Sequence, residues 1–164
     1  MTRQGGFGVI ATVATAIAVI VLTAALPATA GSKAALQPEC AGLTATIVGT
    51  AGSDQIRGTA ARDVIVARGG PDQIQGRGGN DVICAGRGND QVSGGGGRDR
   101  IFAGGGQDQA AGGTGIDRLF GQAGPDELAG NAGNDRLNGG PGGDLGFGGT
   151  GTDTCTSVEV ARSC

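Results

Sequence analysis

Aspartate recurs in this chain at intervals of nine residues: Asp54, Asp63, Asp72, Asp81, Asp90, Asp99, Asp108, Asp117, Asp126, Asp135, Asp144 and Asp153. These twelve are all the aspartates it has. Two residues before each stands Gly, except at Ala61. Two residues after each stands an apolar residue: Ile56, Ile65, Ile74, Ile83, Val92, Ile101, Ala110, Leu119, Leu128 and Leu137, before Gly146 and Cys155 end the series. The first slot of every nonapeptide, from Gly49 to Gly148, holds Gly or Ala. A disordered Gly-rich chain has no reason to keep this register over residues 49–156. The period points to stacked units that bury their apolar faces only against one another.

Composition agrees. With 37 Gly among 164 residues, four Phe and no Trp or Tyr, the chain cannot fill an ordinary globular core. A net charge of −3 without a basic run argues against a nucleic-acid partner. The absence of His removes Ser-His-Asp triads, Cys-His dyads and His-ligated zinc. Lys33 is the only lysine, and Glu39, Glu127 and Glu159 lie far apart on the repeat map. The chain therefore reads as a binding or structural protein and not as an enzyme.

Residues 1–30 differ from the rest. Arg3 precedes a nearly continuous apolar stretch, Val9 to Leu26, and Ala28-Thr29-Ala30 fits a signal-peptidase site. The reading is an export signal cleaved after Ala30. The competing reading is an uncleaved anchor, since the stretch is about long enough to span a bilayer. No basic stop-transfer cluster follows, which favours removal and leaves no membrane insertion in the mature chain. Export implies an oxidising, calcium-rich exterior, where Cys40, Cys84, Cys155 and Cys164 are bridged rather than metal-bound.

Gly94-Gly95-Gly96-Gly97-Arg98-Asp99-Arg100-Ile101-Phe102 fits the pattern G-G-x-G-x-D-x-U-x, with U a large apolar residue. Gly112-Gly113-Thr114-Gly115-Ile116-Asp117-Arg118-Leu119-Phe120 fits it again. Residues 49–156 thus resemble the RTX, or haemolysin-type, calcium-binding nonapeptide repeats. The flanking order is Cys40, Ala45 to Thr50, Ile83-Cys84, then Asp153-Thr154-Cys155 to Cys164. It resembles stand-alone secreted calcium-binding proteins of actinomycete type.

The resemblance implies an all-β fold, a right-handed parallel β-roll of two sheets, with twelve repeats in six coils. The first six residues of each unit make a turn, and the last three a strand with its apolar residue inward. Repeats two apart stack. Calcium takes six to eight oxygens at about 2.3–2.6 Å, from carboxylates and carbonyls. All twelve aspartates are thereby candidate ligands, and two columns of six turns have about ten gaps for Ca²⁺. Without metal the same columns bring carboxylates together, so binding and folding are expected to be coupled.

An eighteen-residue coil should leave an eighteen-residue signature. The residue after each Asp is Gln55, Gln73, Gln91, Gln109, Glu127 and Leu145 in odd repeats. In even repeats it is Val64, Val82, Arg100, Arg118, Arg136 and Thr154. Cys40 begins a degenerate leading unit, 40–48, in the even column. Residues 31–48 are therefore expected to cap Val64, Val66 and Val82 through Cys40–Cys84. Cys155 takes the inward slot of the last repeat, so Cys155–Cys164 would close residues 157–164 over the other end. This is one of three connectivities open to four cysteines.

Arg100, Arg118 and Arg136 beside Phe102 and Phe120 offer a strip for an anionic wall polymer or polysaccharide. The plainer reading is a solvated face with Arg stems over the rings. Thr recurs too sparsely to favour an ice-binding ladder. A monomer is expected. At Leu145-Gly146-Phe147 the apolar pattern inverts, and a local register slip is expected there.

Overall fold

The structure, a computed structural model, describes residues 38–164. The expected export signal, residues 1–30, and residues 31–37 lie outside the described residues. No described helix is long and apolar enough to cross a membrane.

A short antiparallel hairpin, β1 (Glu39–Cys40) and β2 (Leu43–Thr44), precedes two parallel sheets of seven strands each. The even sheet holds β3 (Ile47–Val48), β5 (Val64–Val66), β7 (Val82–Arg87), β9 (Arg100–Gly105), β11 (Arg118–Ala123), β13 (Arg136–Asn138) and β15 (Thr154–Thr156). The odd sheet holds β4 (Gln55–Arg57), β6 (Gln73–Gly78), β8 (Gln91–Gly96), β10 (Gln109–Thr114), β12 (Glu127–Ala132), β14 (Leu145–Thr150) and β16 (Val160–Arg162). Consecutive strands alternate between the sheets, and each pairs with the strand two before and two after it. The molecule is a two-sheet parallel β-solenoid of about six turns, as the eighteen-residue signature requires.

That signature is visible in the ladders. Gln55 pairs with Gln73, Gln73 with Gln91, Gln91 with Gln109, and Gln109 with Glu127. On the other sheet Val64 pairs with Val82, Val82 with Arg100, Arg100 with Arg118 and Arg118 with Arg136. The apolar slots face inward and form one continuous cluster from Ile56 to Leu137, with Ile47 and Cys155 packed at its ends.

Two local expectations are corrected. In mid-stack the strands do not stop at the ninth slot but run into the first three slots of the next repeat, as in Gln109–Thr114. The ladder skips the first slot and resumes, with Gly113 opposite Gly95 and Thr114 opposite Gly96. Pairing survives the bend because the second-slot backbone turns through positive φ, 109° at Gly95 and 114° at Gly113, which a residue without Cβ adopts freely. The second correction is at repeat eleven, where no register slip occurs. Leu145 stays opposite Glu127 and faces outward, while Gly146 keeps the inward slot. Val158 and Cys155 fill the space beside Gly146: a Cβ there would lie 3.2 Å from Val158 Cγ1 and 3.4 Å from the Cys155 sulfur.

The hairpin carries Cys40, fully buried and bonded to Cys84, with Cα atoms 5.8 Å apart. It covers Val64 and Val82, which with Leu43, Val66 and Phe102 form a second small cluster on the outer face of the even sheet. At the other end Cys155 is bonded to Cys164.

Register fixes the cost of truncation. Leu119→Ala removes a fully buried side chain and is expected to lose about 2–5 kcal/mol in calcium-saturated denaturant unfolding. Leu145→Ala, at an outward position, is expected to lose under ~1 kcal/mol. Equal losses would contradict the register at repeat eleven.

Candidate metal centres

Each coil has two turns, and each turn ends in one aspartate. The twelve aspartates stand in two columns: Asp54, Asp72, Asp90, Asp108, Asp126 and Asp144 in one, Asp63, Asp81, Asp99, Asp117, Asp135 and Asp153 in the other. From Asp63 to Asp144 all are buried.

Within a column the carboxylate oxygens have different surroundings. From Asp72 onward, Oδ1 of each aspartate accepts the backbone N–H of the aspartate one coil earlier: Asp63 to Asp81 at 2.8 Å, Asp81 to Asp99 at 2.8 Å, Asp108 to Asp126 at 3.0 Å. Oδ2 of Asp72, Asp81, Asp90, Asp99, Asp108, Asp117, Asp126, Asp135, Asp144 and Asp153 is buried and has no hydrogen-bond partner. An ionised oxygen held from water without a donor is strongly unfavourable, and ten in one small domain call for a cation.

The surroundings of these oxygens fit calcium. A Cβ on Gly76 would lie 2.5 Å from Asp81 Oδ2 and 2.5 Å from the Gly94 carbonyl of the next coil. On Gly130 the corresponding oxygens are those of Asp135 and Gly148, at 2.5 and 2.6 Å. Carboxylate and carbonyl oxygens thus converge between stacked turns. Among the described residues no three acidic, Cys or His side chains form a metal-holding group. Each gap is bordered by two carboxylates, and carbonyls must supply most other ligands, as a hard, oxygen-seeking ion of flexible geometry accepts.

The first turn of each column is different. Asp54 Oδ2 accepts the Thr50 N–H at 2.6 Å and the Thr50 hydroxyl at 3.0 Å. Asp63 Oδ2 accepts the Thr59 N–H at 2.6 Å and the Thr59 hydroxyl at 3.0 Å. The Thr59 oxygen also accepts the Ala61 N–H at 3.1 Å. Gly52 and Ala61 lack the positive φ that the fourth slots from Gly70 to Gly133 show, so an alanine fits at residue 61. Sequence reasoning passed over both threonines, although Gly49-Thr50-Ala51 and Gly58-Thr59-Ala60 repeat the signal. It also passed over an asparagine rung. Asn80, Asn89 and Asn134, each just before an Asp, accept the N–H of Arg98, Gln107 and Thr152 one coil later.

Residues 45–74, 57–92, 75–110, 86–119, 111–146 and 120–155 match the family model of the RTX calcium-binding nonapeptide repeat. The chain belongs to this family. Membership implies calcium binding, and the match is to the binding repeat, with no catalytic family beside it. Comparison with curated proteins and with solved structures gives no match.

The RTX columns are electrostatically poised. Burial raises the carboxyls of Asp72, Asp99, Asp108 and Asp126 to about 6, against the lowering effect of the hydrogen bond from the preceding aspartate. Repulsion from neighbouring aspartates in the column adds to the rise. Asp81, Asp90, Asp117 and Asp135 are raised for the same leading reason. A carboxyl raised on folding binds its proton more tightly in the native state, so metal-free stability falls as pH rises from about 4 through about 6. Far-UV circular dichroism of metal-free protein is therefore expected to show more β structure at pH 4 than at pH 7. Saturating calcium should abolish the difference at pH 7. A metal-free roll that gains β structure on going from pH 4 to pH 7 would contradict this assignment.

Proposed function

We propose that the mature chain is an exported, non-catalytic calcium-binding protein whose roll is completed by ions held between stacked turns. The observation that carries this reading is the set of ten buried carboxylate oxygens without a donor. The ligands are the column aspartates, aided by first-slot carbonyls such as that of Gly94. Eight gaps, those following Asp72, Asp81, Asp90, Asp99, Asp108, Asp117, Asp126 and Asp135, have both an orphaned oxygen and a further aspartate turn. The gaps after Asp54 and Asp63 are already closed by Thr50 and Thr59, which lowers the interior load from about ten ions to about eight. Two disulfides and the apolar leader ending in Ala28-Thr29-Ala30 support export, as in stand-alone secreted proteins of this repeat type. Calcium midpoints in the extracellular range, about 10⁻⁴–10⁻³ M, are expected.

Titration of oxidised residues 31–164 with calcium, with magnesium as control, tests the reading. A cooperative coil-to-β change with calcium alone and at least about eight ions bound in native mass spectrometry are expected. Asp117→Asn, which touches the gaps on both sides of its turn, should raise the calcium midpoint about tenfold. A chain that stays disordered at millimolar calcium would sink the proposal.

One feature favours a second reading, attachment to an anionic wall polymer or polysaccharide. Arg62, Arg98, Arg100 and Arg118 line one groove on the even side with Asn80, and Arg100 Nε is buried without a partner. Part of the ladder is structural, because the Arg100 guanidinium lies 5.4 Å from the Phe102 ring centre and Phe102 stacks on Phe120 at 4.9 Å. Pull-down on isolated cell wall in calcium would separate the roles. Retention should fall at least about tenfold in Arg98→Ala/Arg118→Ala if attachment is electrostatic, and should also fall with salt.

A further inference from the structure

We propose that the C-terminal tail builds one more calcium site, at the end of the odd column, from Asp144, the Ser157 carbonyl and the Glu159 carboxylate. This rests on the calcium reading of the columns, but it concerns residues outside the nonapeptide pattern.

The regular repeat stops at residue 156, yet the odd column continues for one shortened turn. Ser157 follows Gly139 by eighteen residues, and its carbonyl sits against Gly139, where a Cβ would meet both that oxygen and Asp144 Oδ2. The first-slot carbonyls of Gly94 and Gly148 occupy the same place against Gly76 and Gly130. From there the tail departs. In β14 Leu145 pairs with Val160, so Glu159 takes the register position of an aspartate although only fifteen residues separate it from Asp144. Three residues, Ser157, Val158 and Glu159, do what six do in the repeats. The Glu159 N–H donates to the Asp144 carbonyl at 2.9 Å, anchoring the turn on the last regular coil.

Two observations point to a ligand here. Asp144 is fully buried, and its Oδ2 has no partner. The Glu159 carboxylate lies over the same turn, with Oε2 3.5 Å from the position a Cβ on Gly143 would take. It has no hydrogen bond to any described residue. A shortened turn brings its acidic residue in from farther away, and the additional methylene of Glu supplies the reach that Asp lacks. The even column ends differently. The Ser163 carbonyl sits against Gly148 beside Asp153 Oδ2, but the neighbouring tail residues Arg162 and Ser163 bring no carboxylate. The proposed site lies in the odd column, where an acidic side chain follows the last regular turn.

Such a site does more than add an ion. It ties the tail, and with it the Cys155–Cys164 loop, to the last coil, so the end of the roll is closed only when calcium is present. One side of the ion faces solvent, and its affinity should be the weakest of the set.

The test uses the oxidised mature chain and its Glu159→Gln variant, which preserves side-chain shape at an exposed position. Native mass spectrometry should show one ion fewer in the variant, with most of the calcium-induced β signal retained. Hydrogen exchange should show calcium-dependent protection of residues 158–162 in the parent and its loss in Glu159→Gln. Asp117→Asn serves as the comparison, losing interior ions while protection of the tail at saturating calcium persists. Equal stoichiometry and equal tail protection in parent and Glu159→Gln would overturn the terminal site while leaving the interior sites standing. A parent chain that binds no calcium at all would instead overturn the underlying reading.

Discussion

The structure depends on one arrangement: a carboxylate buried between stacked turns with one oxygen satisfied and the other not. Oδ1 takes the N–H of the aspartate one coil earlier, and this bond locks consecutive turns in register. Oδ2 is left without a donor ten times over. Adjacent strands stand about 4.8 Å apart, so the orphaned charges in a column are also near neighbours. The backbone bond and the unfavourable charge come from the same side chain. A metal-free roll with ionised columns therefore cannot keep the register without also keeping the repulsion, and on the proposed reading divalent cations in the gaps from Asp72 onward remove the conflict.

The glycines follow from this arrangement. From Arg68 to Gly133 the second and fourth slots turn through positive φ, so the chain bends without losing its pairing. First-slot glycines such as Gly76 give an oxygen pair the room a methyl would take. Neither demand is absolute. Arg77 and Asn131 occupy second slots at φ of 82° and 75°, at a cost of about 1–2 kcal/mol each. Ala67, Ala85 and Ala103 are buried first-slot residues in the odd column. Where the sequence places Thr at the second slot, the turn changes kind: its own N–H and hydroxyl satisfy Asp54 or Asp63, and the need for a cation goes.

Much of this is legible in the sequence. The Asp period, the inward apolar slot and the Gln and Arg ladders are side-chain patterns: the first two carry the resemblance that implies two sheets, six coils and two columns, and the ladders support it. The ladders were the more telling evidence, since an eighteen-residue difference between outward faces is not part of a nine-residue motif. What was not legible lacked a side-chain pattern. Strand extension through slots such as Gly112 and Gly113 is invisible because glycines show no alternation. The change from eighteen to fifteen residues at Glu159 breaks the period that made the rest readable. At Leu145-Gly146-Phe147 the inverted pattern misled, because the inward vacancy at Gly146 is filled from the tail by Val158 rather than by a slip of the strand.

The stack is thus held differently at its ends and in its middle. In the chain-entropy view Cys40–Cys84, spanning 44 residues, favours the folded state by about 4 kcal/mol. Cys155–Cys164, spanning 9, contributes about 3 kcal/mol. Both act by restricting the unfolded chain and are indifferent to metal. Ions act on the native state alone, and their effect grows with concentration. The leading end combines a disulfide, the Val64 and Val82 cluster and two threonine-satisfied turns, so it has the least need of metal. From Asp72 onward each further turn adds a buried carboxylate oxygen without a donor. On the proposed reading, ordering of the roll becomes more dependent on calcium with distance from Cys40, which follows from where this sequence puts its threonines, its valines and its first disulfide.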